Sequence, residues 1–217
     1  MKILLVSATK FEVAPLLKNF KKIRSEKNIS TFRFKNHTID VLLTRVGMTA
    51  TSFHLGKILN NKYDLAINAG VAGSFKKKIP LGTVVNVTSD SFADMGAEDG
   101  NKFLTAEEMG LVSNIRYQVS GIKYGKMPSN LPHANGITVN TVHGNAASIK
   151  KVARKFHPDI ESMEGAAFFF ACNHEKIPCM QIRAISNYVE RRNKKNWKMD
   201  LAVKNLCISI EQILKNL

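Results

Sequence analysis

Acidic side chains and one amide follow the ends of several apolar segments, and such a set could break a glycosidic bond. Glu12 comes soon after an apolar run near the start of the chain, and Glu164 and Asn187 follow later ones. One carboxylate can activate a water molecule while another holds sugar hydroxyls. Because open α/β sheets place their sites at the carboxyl ends of strands, we expect these side chains to converge. Glu12 alone has a second interpretation, since helices also favour acidic residues in their first turn.

The segment 70–73 has the sequence Gly-Val-Ala-Gly and allows two interpretations. Its backbone N–H groups could hold a phosphate, or it could form a tight turn in which another group approaches the backbone closely. The segment lacks the spacing of the dinucleotide-binding and P-loop motifs. The local sequence leaves both interpretations open.

Apolar runs alternate with helical patterns along the chain, which predicts an α/β fold. We expect one domain spanning residues 1–217, with three layers (α/β/α) around a central mixed, mostly parallel sheet. The segment 89–135 shows weak periodicity and is expected to hold long loops with short elements. Strands are predicted at 3–6, 31–34, 39–44, 65–68, 82–87, 137–139 and 180–185. Helices are predicted through 16–17 to Phe20, with a start that Pro15 leaves open, from 48 to near Asn60, and at 149–156, 164–172 and 203–217.

The charge balance is strongly basic. The chain carries 32 Lys and Arg against 17 Asp and Glu, a net charge of +15. Such a surplus attracts nucleic acid, so a basic nucleic-acid-binding protein is the non-enzyme alternative. The basic residues are scattered in short runs and no nucleic-acid-binding motif is present, which favours a solvated surface.

Cysteine usage and the apolar runs predict a soluble, cytoplasmic protein. The three cysteines form no CxxC pair and no metal-ligand spacing, so we expect a reducing compartment and no metal site. The apolar stretch within residues 1–8 is too short for a signal peptide. No run approaches the roughly 18 apolar residues of a membrane span.

Four motifs, in order along the chain, resemble the nucleoside phosphorylase and nucleosidase superfamily. They are Glu12 and the segments 68–73, 162–166 and 183–187, so the resemblance covers essentially the whole chain. The segments 139–144 and 184–190 resemble the futalosine hydrolase branch most closely. The resemblance implies a purine nucleoside as substrate and no cofactor. It also implies a homodimer, and the segment 94–99 is our candidate for a contribution to the partner's pocket.

The resemblance implies a role for each matching side chain. Glu12 corresponds to the general base that acts on the attacking water, and Arg183 to the arginine near that water. Glu164 corresponds to the carboxylate that binds the ribose hydroxyls, with Met163 packed on the sugar. Further substrate contacts are implied for Ala72, Gly73, Val142, His143 and Ser186. Val142 departs from the aromatic residue that usually stacks on the purine, so aliphatic packing or another residue must replace it.

The loop 7–12 favours water over phosphate as the nucleophile. Phosphorylases of this superfamily use a glycine-rich first loop and a serine at the position of Val71, and this chain has neither. Glu12 beside the nucleophile would also repel a phosphate dianion. Lys10, Arg45 and Arg183 keep phosphorolysis open as an alternative.

Asn187 indicates which base leaves. Adenine-specific nucleosidases carry an aspartate at this position, which cannot donate to a 6-oxo group, whereas an amide offers one donor and one acceptor. The resemblance therefore predicts hydrolysis of futalosine to hypoxanthine and dehypoxanthine futalosine, a step toward menaquinone. The alternatives are a methylthioadenosine/S-adenosylhomocysteine nucleosidase, a hydrolase for the 6-amino analogue of futalosine, and a 6-oxopurine nucleoside phosphorylase. A plain turn-capping asparagine is the structural alternative for Asn187 itself.

Overall fold

A computed structural model describes residues 1–59, 62–121 and 130–217 of the chain. The strands are β1 (Lys2–Ser7), β2 (Lys21–Glu26), β3 (Ile29–Phe34), β4 (His37–Leu43), β5 (Leu65–Ser74), β6 (Val84–Phe92), β7 (Gly96–Asp99), β8 (Lys102–Thr105), β9 (Arg116–Gln118), β10 (His133–Thr138), β11 (Ile160–Ser162) and β12 (Cys179–Tyr188). The helices are α1 (Lys10–Leu17), α2 (Met48–Ile58), α3 (Ala146–Phe156), α4 (Gly165–His174) and α5 (Met199–Asn216), with a short 3₁₀ turn at Lys194–Asn196.

One large mixed sheet forms the centre of the molecule. Its order is β11-β10-β6-β12-β5-β1-β4-β3-β2, with β9 added on β6. The short strand β11 pairs with both β10 and β5, so this end of the sheet closes on itself. Among the described residues, five pairings in this sheet are parallel and five antiparallel. Strands β7 and β8 form a separate hairpin.

Helices cover both faces of the sheet because its central strands are apolar on both sides. Strands such as β1, whose residues 3–7 are all buried, read as continuous apolar runs for this reason. Helices α1 and α5 pack on one face and α2 and α4 on the other. Each fully buried Leu or Ile in these layers contributes about 1.5–3 kcal/mol. Because β1, β5 and β12 are parallel, their carboxyl ends lie at the same edge of the sheet, the rim, between the two helical layers.

The structure departs from the sequence-based expectations at several boundaries. Residues 70–73 continue strand β5 and form no tight turn. Helix α1 runs through Pro15 and ends at Leu17, before the predicted end at residue 20. Helix α2 ends at Ile58, and the predicted end near Asn60 lies outside the described residues.

The segment 89–135 contains the end of β6, the β7–β8 hairpin, β9 and the start of β10, and its residues 122–129 lie outside the description. Within the described parts of the chain, every helix is too short or too polar to cross a membrane.

Candidate active site

The rim formed by the carboxyl ends of the strands encloses a cavity of about 570 Å³, a size that suits a small ligand. A smaller cavity of about 100 Å³ adjoins it and shares Gly73, Val142, Glu161, Asn187, Arg192 and Trp197 in its lining. The two are therefore the ends of one cleft. The predicted site residues that line the larger cavity are Glu12, Ala72, Gly73, Val142, Met163, Glu164, Ser186 and Asn187.

Two predicted site residues lie elsewhere. His143 lines only the smaller cavity, and Arg183 lies beneath the cleft with 1% of its surface exposed.

Glu12 is held at the start of α1 by four hydrogen bonds. Its Oε2 accepts from Ser7 Oγ at 3.1 Å and from the backbone N–H and hydroxyl of Thr9, each at 2.9 Å. Its Oε1 accepts from the backbone N–H of Val71 at 3.2 Å. Since Oε1 accepts from one donor only, it keeps a free lone pair on the side of the cavity that Glu12 lines. Glu12 also serves as the third residue of a helix capping box.

Arg183 is the centre of a buried polar network. Its Nε donates to Gln181 Oε1 at 2.9 Å and its Nη2 to Asn68 Oδ1 at 2.5 Å. Its Nη1 forms an ion pair with Glu164 Oε2 at 3.4 Å. Within the described part of the chain Arg183 makes no hydrogen bond to Glu12, because its guanidinium is committed to Glu164 and to two amide oxygens. It acts on the site by fixing Glu164 from below.

Gly70 explains why Arg183 and Glu12 can approach the same point of β5. A Cβ atom at this position would overlap Arg183 Nη1 and would lie 3.0 Å from Glu12 Oε1. Both charged groups therefore lie directly over the Gly70 backbone. Of the two interpretations of segment 70–73, the close approach of another group to the glycine backbone therefore applies to Gly70, although Gly70 lies in a strand and not in a turn.

Glu164 lies just before α4 and points back into the cleft. Its Oε1 accepts from the backbone N–H of Gly47 at 3.1 Å, and its Oε2 faces Arg183. Gly47 has a φ of 101°, a conformation that strongly favours glycine, so this donor depends on a special residue in the loop before α2. Each oxygen keeps a lone pair that can accept from a hydroxyl group in the cavity.

Asn187 reaches the cleft because β12 contains a bulge. The register of β12 against β5 shifts between Ile185 and Asn187, which leaves Ser186 unpaired and sets Asn187 opposite Gly73. Such bulges re-aim side chains next to active sites. The amide is also oriented, since Ser186 Oγ donates to Oδ1 at 2.8 Å and Nδ2 donates to the Tyr188 carbonyl at 3.1 Å.

Two aromatic side chains in the lining of the larger cavity, Phe11 and Trp197, are not among the site residues that the sequence predicts. Phe11 lies at its mouth with 52% of its surface exposed, and Trp197 lies where the two cavities meet. The Trp197 loop is fixed because the next residue, Lys198, donates its N–H to the carbonyl of Ser186 at 2.8 Å. Trp197 is therefore a candidate for the stacking that Val142 cannot supply. The signal in the sequence that could have pointed to Trp197 is that it is the single Trp of the chain.

A buried carboxylate lies behind the cleft. Asp90 is 1% exposed and accepts from Thr138 Oγ1 at 2.9 Å and Gln181 Nε2 at 3.0 Å. Loss of hydration on burial raises the pKa of Asp90 to about 6, although these donors and Arg183 oppose the rise. Through Gln181, this carboxylate is connected to Arg183. Among the described residues, no three His, Cys, Asp or Glu side chains are grouped so that they could hold a metal ion.

Comparison with known proteins finds relatives over most of the chain. The model of the Phosphorylase superfamily matches residues 2–215. A futalosine hydrolase of Streptomyces coelicolor is 28% identical over 159 residues, 70% of this chain and 65% of that protein, so the chain spans slightly less than two thirds of its length. An aminodeoxyfutalosine nucleosidase of Campylobacter jejuni is 25% identical over 203 residues, 86% of each chain.

Solved structures share the fold at low identity. The native futalosine hydrolase of Helicobacter pylori strain 26695 has a TM-score of 0.82 at 17% identity, covering 100% of this chain and 98% of the other. A methylthioadenosine/S-adenosylhomocysteine nucleosidase of Campylobacter jejuni has a TM-score of 0.80 at 21% identity, with the same coverage. These likenesses confirm the predicted α/β fold with a mixed sheet.

Proposed function

This chain belongs to the phosphorylase superfamily, as its sequence motifs predicted, and from that premise we propose that it hydrolyses the N-glycosidic bond of futalosine. The products are hypoxanthine and dehypoxanthine futalosine. The observation that carries the proposal is the arrangement of Glu12, Glu164 and Asn187 around one cavity. The names of the curated relatives support the same class of substrate.

Water is the nucleophile because the surroundings of Glu12 suit it better than phosphate. The cavity wall beside Glu12 includes Ala8, Thr9, Phe11 and Val71, and its donors there, the Thr9 hydroxyl and the Val71 N–H, are already bound to Glu12. A phosphate dianion there would meet a carboxylate in a poorly hydrated pocket. Of the cations that kept phosphorolysis open, Lys10 and Arg45 do not line this cavity, and Arg183 is bound to internal acceptors.

The ribose is held by Glu164. Its free lone pairs accept from the sugar hydroxyls, and Arg183 and the Gly47 N–H keep the carboxylate in place. As the bond to the base lengthens, positive charge develops on the sugar ring and strengthens these hydrogen bonds. Met163, half-buried at the same wall, packs on the sugar.

Glu12 takes the proton from the attacking water. Oε2 is occupied by Ser7 and Thr9, so the remaining lone pair on Oε1 is the basic site. The water oxygen then bonds to the anomeric carbon as the electrons of the glycosidic bond pass to the purine, which takes up a proton at N7 from solvent, and Glu12 afterwards returns the water proton to solvent. Asn187 stabilises the departing base, since its carbonyl accepts from N7–H and its amide donates to O6.

A nucleoside with a 6-amino base is the second candidate substrate. The Campylobacter jejuni relative is named for an aminodeoxyfutalosine and is aligned over more of its length than the Streptomyces coelicolor hydrolase. The amide of Asn187 can donate to a 6-oxo group, which an aspartate cannot, so it accommodates the base of futalosine, but it can also pair with a 6-amino base.

Base release measured by chromatography tests the proposal. The purified full chain is incubated with futalosine, 6-amino-6-deoxyfutalosine, methylthioadenosine and inosine, with and without phosphate. We expect hypoxanthine from futalosine at a rate that does not depend on phosphate. Adenine release alone would keep hydrolysis and contradict the choice of base, and phosphate-dependent release would indicate a phosphorylase. No release from any substrate would favour the nucleic-acid-binding alternative.

The wider setting of the proposed reaction follows from the same family. The product is a precursor of menaquinone, so the enzyme acts in that biosynthesis, in the cytoplasm and without a cofactor. The chain forms a single domain that works as a homodimer, and no membrane or nucleic acid takes part.

A further inference from the structure

Glu161 and His143 lie opposite Asn187 at the narrow end of the cleft. In the sheet, Gly73 of β5 is paired on one side with Asn187 and on the other with Glu161. Paired residues of adjacent strands point to the same face, and Gly73 has no side chain to fill the gap. Asn187 and Glu161 therefore face the same slot, and both line the larger and the smaller cavity.

The pair Glu161–His143 offers only acceptors to this slot. Oε1 of Glu161 accepts from the backbone N–H of His143 at 2.9 Å, and Oε2 contacts Nδ1 of the same residue. A carboxylate oxygen accepts, so Nδ1 donates to Oε2 and holds the ring proton, and in this tautomer Nε2 is an acceptor. Within the described part of the chain, Nε2 makes no hydrogen bond. Each Glu161 oxygen also keeps a lone pair.

Asn187 alone cannot separate the two kinds of purine. Its donor and acceptor can pair with O6 and N7–H of hypoxanthine, but they can also pair with N7 and the 6-amino group of adenine. The atom that differs in kind is N1, which carries a hydrogen in a 6-oxopurine and a lone pair in a 6-aminopurine. N1 is the ring atom next to the carbon that carries the 6-substituent, on the edge adjoining that of N7, so a group beside Asn187 can reach it.

We propose that Glu161 and His143 form the acceptor that binds N1–H of a 6-oxopurine base and thereby set the base specificity of the site. The inference rests on the proposed hydrolysis of futalosine and names the residues that select its base. A 6-aminopurine would bring the N1 lone pair against these acceptors. Sites built to hydrogen-bond a substrate N–H reject an analogue that lacks it by at least tenfold.

The test is the ratio of kcat/KM for futalosine to kcat/KM for 6-amino-6-deoxyfutalosine in wild type and in Glu161→Gln. The new amide donates to Nδ1, which moves the ring proton to Nε2 and turns the acceptor into a donor. We expect the ratio to fall at least about tenfold. An equal loss on both substrates, with the ratio unchanged, would show that Glu161 only holds the His143 backbone and would overturn the inference.

Controls separate this result from a change in charge or folding. Glu175→Gln removes an exposed carboxylate at the end of α4 and should leave the ratio unchanged. If Glu161→Gln does not fold by circular dichroism, His143→Gln replaces it, because that side chain is 17% exposed and the ring acceptor is still lost. The same fall in the ratio is expected, and an unchanged ratio overturns the inference.

Binding of the free bases tests the inference independently of hydrolysis. Equilibrium dialysis should give wild type a Kd for hypoxanthine at least about tenfold below that for adenine, and Glu161→Gln should abolish or reverse the preference. Equal binding of the two bases by wild type would overturn the inference even if futalosine is cleaved. The expected base preference without cleavage of futalosine would overturn the proposed function and support the inference.

Discussion

At the scale of single residues, Glu12 combines a structural and a chemical role. Its Oε2 closes the capping box of α1 through Thr9, while its Oε1 faces the cavity. The capping interpretation of Glu12 is therefore realised, and its place at the cavity leaves the chemical role as a prediction. The helix start is what orients the lone pair that the proposed reaction needs.

Glu12→Gln is expected to lower kcat for base release by at least about 10², because an amide cannot take the proton from water. One backbone donor loses its acceptor, so the free energy of unfolding should fall by about 1–3 kcal/mol, which leaves the protein folded. Saturating kinetics and thermal unfolding measure the two effects. Glu26→Gln, at an exposed carboxylate of β2, is the control. Full activity of Glu12→Gln would contradict the assignment.

Gly70→Ala should impair the site by a steric route alone. The added methyl group would overlap Arg183 Nη1, which cannot retreat because Gln181 and Asn68 hold the guanidinium. We expect a loss of about 1–3 kcal/mol in stability and of at least about tenfold in kcat, since Glu12 and Glu164 are both displaced.

The matched control for Gly70→Ala is Gly56→Ala in α2. A Cβ there meets nothing within 4 Å, so this change should be neutral or stabilising by about 0.5–1 kcal/mol. Wild-type kinetics in Gly70→Ala would mean that the packing over β5 is looser than described.

At the scale of secondary-structure elements, the end of β12 decides the geometry of the base-binding side. The bulge at Ser186 turns Asn187 toward Gly73, and the freed Ser186 carbonyl binds the N–H of Lys198. One irregularity therefore places both the amide and the Trp197 loop. A regular strand would point Asn187 to the other face, because strand side chains alternate.

Asp90, buried between β6, β10 and β12, should make the free energy of unfolding depend on pH. Its pKa is raised from 3.8 to about 6, so between these values the folded protein holds a proton that the unfolded chain has released. The free energy of unfolding should therefore fall as pH rises through this window, by on the order of 3 kcal/mol, and then level off.

Urea unfolding between pH 4 and 7.5 measures the effect as the difference between wild type and Asp90→Asn. The variant lacks the titration, so the difference should decline up to about pH 6 and stay constant above it. A difference that does not change with pH would show that Asp90 titrates alike in the folded and unfolded protein.

At the scale of the whole molecule, the net charge of +15 remains outside the proposed chemistry. We expect it to act as a solvated surface, so binding to duplex DNA at 150 mM salt should be no tighter than the roughly 10⁻⁴–10⁻⁶ M of non-specific contacts. Fluorescence anisotropy at two salt concentrations measures this, and Glu12→Gln serves as an inactive control. A sub-micromolar Kd for duplex DNA at 150 mM salt would support the nucleic-acid-binding alternative.

The homodimer is also a prediction for the whole molecule. Light scattering should give twice the chain mass of 24.2 kDa. Three apolar side chains near the cleft are more than half exposed, namely Phe11, Val46 and Phe53. Their burial between two copies of the chain would stabilise a dimer. Phe53→Asp should therefore shift the mass toward the monomer, whereas a monomeric wild type would contradict the prediction.

The amino-acid sequence by itself determined the alternation of strands and helices and the chain positions of Glu12, Glu164 and Asn187. These are local properties, since burial on both faces requires continuous apolar runs and the motifs are contiguous. The family followed from four such motifs in order, and its model matches residues 2–215.

Only the tertiary structure decided which groups meet across distant segments. The partner of Arg183, the Ser186 bulge, the position of Trp197 and the pairing of Glu161 with Asn187 across Gly73 depend on strand register and loop packing. Register is set by contacts between residues far apart in the chain, and no local pattern records it. For the same reason the sequence indicated Asn187 and His143 as contacts of the base but not the pairing of His143 with Glu161.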